Sequence, residues 1–201
     1  MNFKNHTLAN KVAVMLLFPY IVWLSKFNEA YTSQVDGKAI SINFDGVMQM
    51  LHNLMSNANM LIHESGHGVC YLIGCPDFIM FINGTIFQLA LPIIFIYIYM
   101  YKTKNIIIAI IGVMWLAQNL VYVAWYMSTS QMPHKYGMFL GGGTHDFWWL
   151  FSYLGVLEYD WLISSIVKII AVVLLYGAYF YLVFLVFFKS DKENSKKIIL
   201  D

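Results

Sequence analysis

Residues 47–73, VMQMLHNLMSNANMLIHESGHGVCYLI, decide how this chain must be read. The stretch is long enough to cross a bilayer as one helix, since the hydrocarbon core needs roughly 20 residues. Yet it carries His52, Asn53, Ser56, Asn57, Asn59, His63, Glu64 and His67. At helical spacing, positions 52, 56, 59, 63 and 67 fall on one stripe. Polar groups at membrane depth are costly, so this stripe must face other protein or a wet cavity rather than lipid. A helix with its polar side turned inward needs further helices around it.

The rest of the 201-residue chain can supply them. It is 60% hydrophobic, 17% aromatic and only 11% charged, with a mean hydropathy of +0.63. Soluble domains run at about 45–50% apolar and roughly 25% charged. A water-soluble fold of this size could not hide so much apolar surface. These figures exclude a disordered chain, a disulfide-stapled secreted domain and an ordinary soluble enzyme. A net charge of +1 leaves no basic footprint for nucleic acid. All twelve basic residues are Lys, beside abundant Ile, Asn, Tyr and Phe. That bias fits an AT-rich microbial genome, so a microbial cytoplasmic membrane is the expected location. Two cysteines, Cys70 and Cys75, cannot form a framework and leave the redox compartment open. Cys70 reads as a buried apolar side chain rather than a metal ligand.

The expected fold is an all-α polytopic membrane protein, a single transmembrane domain of five or six helices. Spans are expected at 8–24, 47–73, 85–101, 106–127 and 161–188, with a short or re-entrant helix at 145–157. Residues 8–24 read as an uncleaved anchor, because no small-x-small cleavage site follows Leu24. A polar loop at 25–46 and a charged tail at 189–201 complete the division. Gly74-Cys75-Pro76-Asp77 ends the polar helix. Residues 78–82 read as a short strand or extended loop before a turn at Asn83-Gly84, and Gln88 lies close by. Lysines near both termini favour the cytoplasmic side for each. That arrangement requires an even number of crossings and turns Lys102 and Lys104 outward.

His63-Glu64-Ser65-Gly66-His67 matches H-E-x-x-H. Residues four apart share a helix face, so two imidazoles can grip one metal ion, and the intervening Glu can take a proton from a metal-activated water. A catalytic zinc site needs a third protein ligand and an open position. Thr144-His145-Asp146, directly after Gly141-Gly142-Gly143, opens a helix that re-enters the apolar region. Thr144 can cap that helix, and either His145 or Asp146 can complete the zinc site. His134 lies in a polar loop and His6 in the N-terminal segment, while His52 is too far along the helix to share the ion. Asn119, Gln118 and His145 are candidate donors to the oxyanion or to the substrate backbone. Gln118 and Asn119 equally suit hydrogen bonding between helices.

HESGH in a transmembrane helix resembles the site-2 protease family of intramembrane zinc metalloproteases. The resemblance implies Zn2+ held by His63, His67 and an Asp from a later span, with Glu64 as general base. It covers mainly residues 61–70. The family's Asn-Pro and Leu-Asp-Gly elements have no counterpart here, since Gly-Gly-Gly-Thr-His-Asp-Phe stands at 141–147. Asp146 therefore carries over by chemistry and chain order, with His145 as the alternative. The implied activity is peptide-bond hydrolysis in a membrane-embedded polypeptide, in contact with the lipid bilayer. A non-proteolytic membrane metal protein (a transporter, sensor or inactive scaffold) is the alternative. A transporter spreads ionisable groups along a pathway through several spans, whereas here they gather on one helix and one loop junction.

Overall fold

A computed structural model describes residues 8–26, 44–131 and 144–189. Most of the expected loop at 25–46, most of the 128–144 connection with its three glycines and His134, His6, and nearly all of the tail lie outside the described residues. Among the described residues every regular element is helical: α1 (Leu8–Ser25), α2 (Phe44–Ile73), α3 (Asp77–Tyr97), α4 (Ile106–Ser128), α5 (Asp146–Tyr153) and α6 (Asp160–Phe184). Wider turns carry α3 on through Ile98–Lys102 and α6 on through Leu185–Lys189, and a single tight turn, Leu157–Tyr159, leads into α6. Four helices are long and apolar enough to cross a membrane: α1, α4, and α3 and α6 with their extensions.

The fifth long helix, α2, has 30 residues and a length of about 45 Å. It is built inside out relative to a soluble helix. His52, Ser56, Asn59 and His63 are 0–4% exposed, while Leu54 and Leu72 are 70% and 82% exposed. The polar stripe read from the sequence thus faces α3 and α4, and the aliphatic side faces outward. The short α5 has eight residues, about 12 Å, and does not reach across a 30 Å hydrocarbon core.

At the end of α2, Gly74 takes a left-handed conformation (φ 70°), and the Cys75 amide bonds the Cys70 carbonyl at 3.0 Å. This is the glycine-terminated cap in which the residue after the glycine folds back over the last turn. It brings Cys70 and Cys75 together as a disulfide, with Cα atoms 5.0 Å apart. The expectation of a free, apolar Cys70 is thereby corrected. Pro76 then caps α3 from an extended conformation. The expected strand or loop at 78–82 is also corrected, since these residues form the first turns of α3. Pro76 and Asp77 start a helix well, and Asn83-Gly84, read as a turn, lies inside it.

Helix directions follow from the side-chain pairs. Ser130 and Gln131, just past α4, hydrogen-bond Asp160 at the start of α6 (3.0 and 2.9 Å), so α4 and α6 run antiparallel. Lys11 lies over the Phe187 ring, Phe18 stacks on Tyr179, and Ser25 meets the Tyr176 hydroxyl, so α1 also runs antiparallel to α6. The α3–α4 turn, which holds Lys102 and Lys104, therefore shares an end of the bundle with the start of α1 and the end of α6. The sequence reading had set those two lysines on the opposite side from the termini. The helix directions place them at the same end instead.

Candidate metal centre

The two histidines of HESGH lie one turn apart on the buried side of α2, about 15 and 9 Å from its end at Ile73. Gly66 lets α3 approach them. A Cβ there would stand 2.5 Å from the Asn83 carbonyl oxygen, and Asn83 Nδ2 donates to the Gly66 carbonyl at 2.6 Å. Gly84 completes the approach from the other helix. A Cβ at Gly84 would lie 2.5 Å from His67 Nε2 and 2.6 Å from His63 Nε2. The space beside both nitrogens exists because position 84 has no side chain.

Asp146 closes the site from α5. Its Oδ2 lies 2.9 Å from His63 Nε2 and 3.2 Å from His67 Nε2, and the two nitrogens are 3.1 Å apart. His63 and Asp146 are almost fully buried, whereas the His67 side chain is 22% exposed, so the triangle opens on the His67 side. Glu64 is half-buried and close enough to His67 and Tyr126 to interact electrostatically with both.

The outer hydrogen bonds assign the protons. His67 Nδ1 is 2.7 Å from the Met80 carbonyl, which can only accept, so Nδ1 carries the hydrogen and Nε2 a lone pair. For His63 the assignment runs through three residues. Asn119 Nδ2 donates to the Trp115 carbonyl at 3.0 Å, which leaves Asn119 Oδ1 to accept from Gln88 Nε2 at 2.9 Å. Gln88 Oε1 then accepts from His63 Nδ1 at 3.2 Å. Both Nε2 lone pairs and one carboxylate oxygen accordingly point at each other across about 3 Å. Three electron pairs at that distance repel unless a proton or a cation lies among them. A tetrahedral zinc ion bonded at about 2.0–2.1 Å sets its ligand atoms about 3.3 Å apart. The separations of 2.9, 3.1 and 3.2 Å are close to that edge length. The donor set and its geometry fit a zinc-type ion, and the Nδ1–H bonds are the outer support such ligands need.

The other candidates fall elsewhere. His145, not Thr144, caps α5: its Nδ1 accepts from the Trp148 amide at 3.2 Å, so its Nε2 carries the hydrogen and faces Thr129 Oγ1 at 3.3 Å. Both ring nitrogens are engaged, and the structure brings Asp146, rather than His145, to the two histidines. Gln118 accepts from Asn59 Nδ2 (2.9 Å) and donates to Ser56 Oγ (3.4 Å), in a seam that runs on to His52. Gln118 is thus an interhelical tie, and Asn119 reaches the triangle only through Gln88; neither amide is directed at the ligand atoms. Sequence reasoning missed Tyr126. Its ring lies 4.2 Å from that of His145 and 6.1 Å from that of His63, and its hydroxyl accepts from the Asp146 amide at 3.3 Å. A tyrosine in an aromatic-rich span carries no signal of that role.

Comparison with known proteins adds no name to this geometry: no family model, no curated protein and no solved structure matches the chain.

Proposed function

We propose that this chain is an intramembrane zinc metalloprotease of the site-2 protease type, and that α2 lies within the bilayer, packed among the four apolar helices. The observation that carries the reading is the triangle of His63 Nε2, His67 Nε2 and Asp146 Oδ2, with its proton-bearing nitrogens turned outward. Zn2+ held there would supply an acidified water and polarise a substrate carbonyl. Glu64, beside the open His67 edge, takes the proton of the attacking water and returns it to the departing amine. Gln88 and the Met80 carbonyl hold the two imidazoles in the tautomer that offers Nε2. Tyr126 and the α5 cap fix Asp146, and the surrounding helices restrict water to the His67 side.

The substrate is a polypeptide segment within or anchored to the bilayer, since the ligands lie well inside the ends of a helix about 45 Å long. The deciding experiment is Glu64→Gln in purified protein, assayed on a transmembrane peptide. Zinc content should match the parent while cleavage is lost. Cleavage at the parental rate would refute the general-base role and, with it, this mechanism.

A further inference from the structure

The two ends of the bundle differ in charge and in sulfur chemistry. One end holds the α2–α3 turn, the 128–131 corner, α5 and the start of α6, and the ligand triangle lies about 9–15 Å from it. The other end holds the α3–α4 turn and, beside Phe187, the start of α1. Lys11, Lys102 and Lys104 stand at this second end, where the extension of α6 also finishes on Lys189. At the end nearer the ligands, the described residues carry Asp77, Glu158 and Asp160 and no lysine. Of the remaining lysines, Lys4, Lys38, Lys135, Lys192, Lys196 and Lys197 lie outside the described residues, Lys26 ends α1 beside the level of Tyr176, and Lys168 lies within α6. Lysines flanking membrane helices collect on the cytosolic side. By that rule the triangle lies toward the opposite face.

The disulfide gives the same answer from unrelated chemistry. Cys70 and Cys75 are bonded at the ligand end, in the cap that closes α2. Disulfides persist outside the reducing cytosol, and the cytosol keeps such pairs as thiols. The bond also ties the helix carrying His63 and His67 to the one carrying Met80, Gly84 and Gln88.

We infer that the His63–His67–Asp146 centre works in the non-cytosolic half of the membrane, on membrane-anchored polypeptides at the peptide bond they present in that leaflet. The chemistry of this inference rests on the metalloprotease reading; the orientation does not. Cys70 and Cys75 are the only cysteines of the chain, so thiol labelling reads them alone. In intact cells a membrane-impermeant maleimide should attach nothing before reduction, and two labels per chain after an impermeant phosphine reductant. Lys102→Cys in a Cys70→Ser/Cys75→Ser background should be labelled only after permeabilisation. If that background does not accumulate, an epitope tag appended after Asp201 should resist external protease in intact cells. Native cysteines that react only after permeabilisation, or a Cys at 102 or a tag reached from outside, would overturn the orientation. Mass analysis of the products from a reconstituted transmembrane substrate should locate the cut in the non-cytosolic half, and a cut in the cytosolic half would overturn the substrate assignment. Absence of any cleavage with zinc bound and labelling as expected would instead sink the protease reading and leave the orientation standing.

Discussion

Replacing Gly84 by Ala tests the metal centre without touching a ligand. The added methyl carbon would stand 2.5 Å from His67 Nε2 and 2.6 Å from His63 Nε2, where ordinary contact begins at 3.4 Å. The shortfall is about 0.8–0.9 Å on both nitrogens at once, a separation at which repulsion dominates dispersion. Metal sites tolerate ligand displacements of about 0.2 Å. Either α3 withdraws, carrying Met80 and Gln88 away from the imidazoles, or the rings turn and the triangle opens. Both responses exceed the loss of a single outer hydrogen bond, so zinc affinity should fall by more than the roughly 10–100-fold typical of such losses. Chelator competition on the purified protein measures this directly. Gly66→Ala should act in the same direction through the Asn83 carbonyl, while Gly68→Ala, on the same helix with nothing within 4 Å, should leave affinity unchanged. If Gly84→Ala resists chelator as well as the parent does, the space beside the two nitrogens is not where the ion binds.

Further outcomes separate the remaining roles. Asp146→Ala should abolish zinc binding; His145→Ala should retain the metal and lower thermal stability by about 1 kcal/mol through loss of the α5 cap, as metal analysis and a melting curve would read. Gln88→Leu removes the acceptor for His63 Nδ1 and should weaken zinc by roughly 10–100-fold; Asn119→Leu should do the same less severely, both seen by chelator competition. Treatment with a zinc chelator should stop cleavage of a transmembrane peptide, and added zinc should restore it; activity that survives complete metal removal counts against the mechanism.

Much of the helical architecture was legible because lipid imposes a simple rule on composition, and α2 broke that rule along one stripe. His63, Glu64 and His67 were legible because metal chelation by a helix fixes a four-residue spacing. The third candidate ligand was not, since His145 and Asp146 are neighbours with equal chemical claim. What separates them is the α5 cap, which uses both nitrogens of His145 and leaves Asp146 facing α2. Residues 78–82 misled because five apolar residues before Asn-Gly fit a strand and turn as well as a helix. Gly84 is there for close approach to two imidazoles, a need that only the packed structure reveals. The cysteine pair was hidden for a related reason. Five residues apart looks remote along a helix, but the glycine-terminated cap folds the second position back onto the first.

The inward-facing polar side of α2 also constrains how the protein is made. Although 30 residues long, α2 is not among the helices apolar enough to cross a membrane on their own. A translocon that samples helices one by one would gain little by releasing this one into lipid, where Asn59 and His63 would lack partners. Its partners are Gln88 on α3 and Trp115 and Gln118 on α4, all synthesised later. The helix must therefore wait at the channel until α3 and α4 emerge, and enter the bilayer as part of a three-helix unit. A nascent chain arrested shortly after Ile73 should leave α2 extractable by alkali, whereas one arrested beyond Ser128 should hold it.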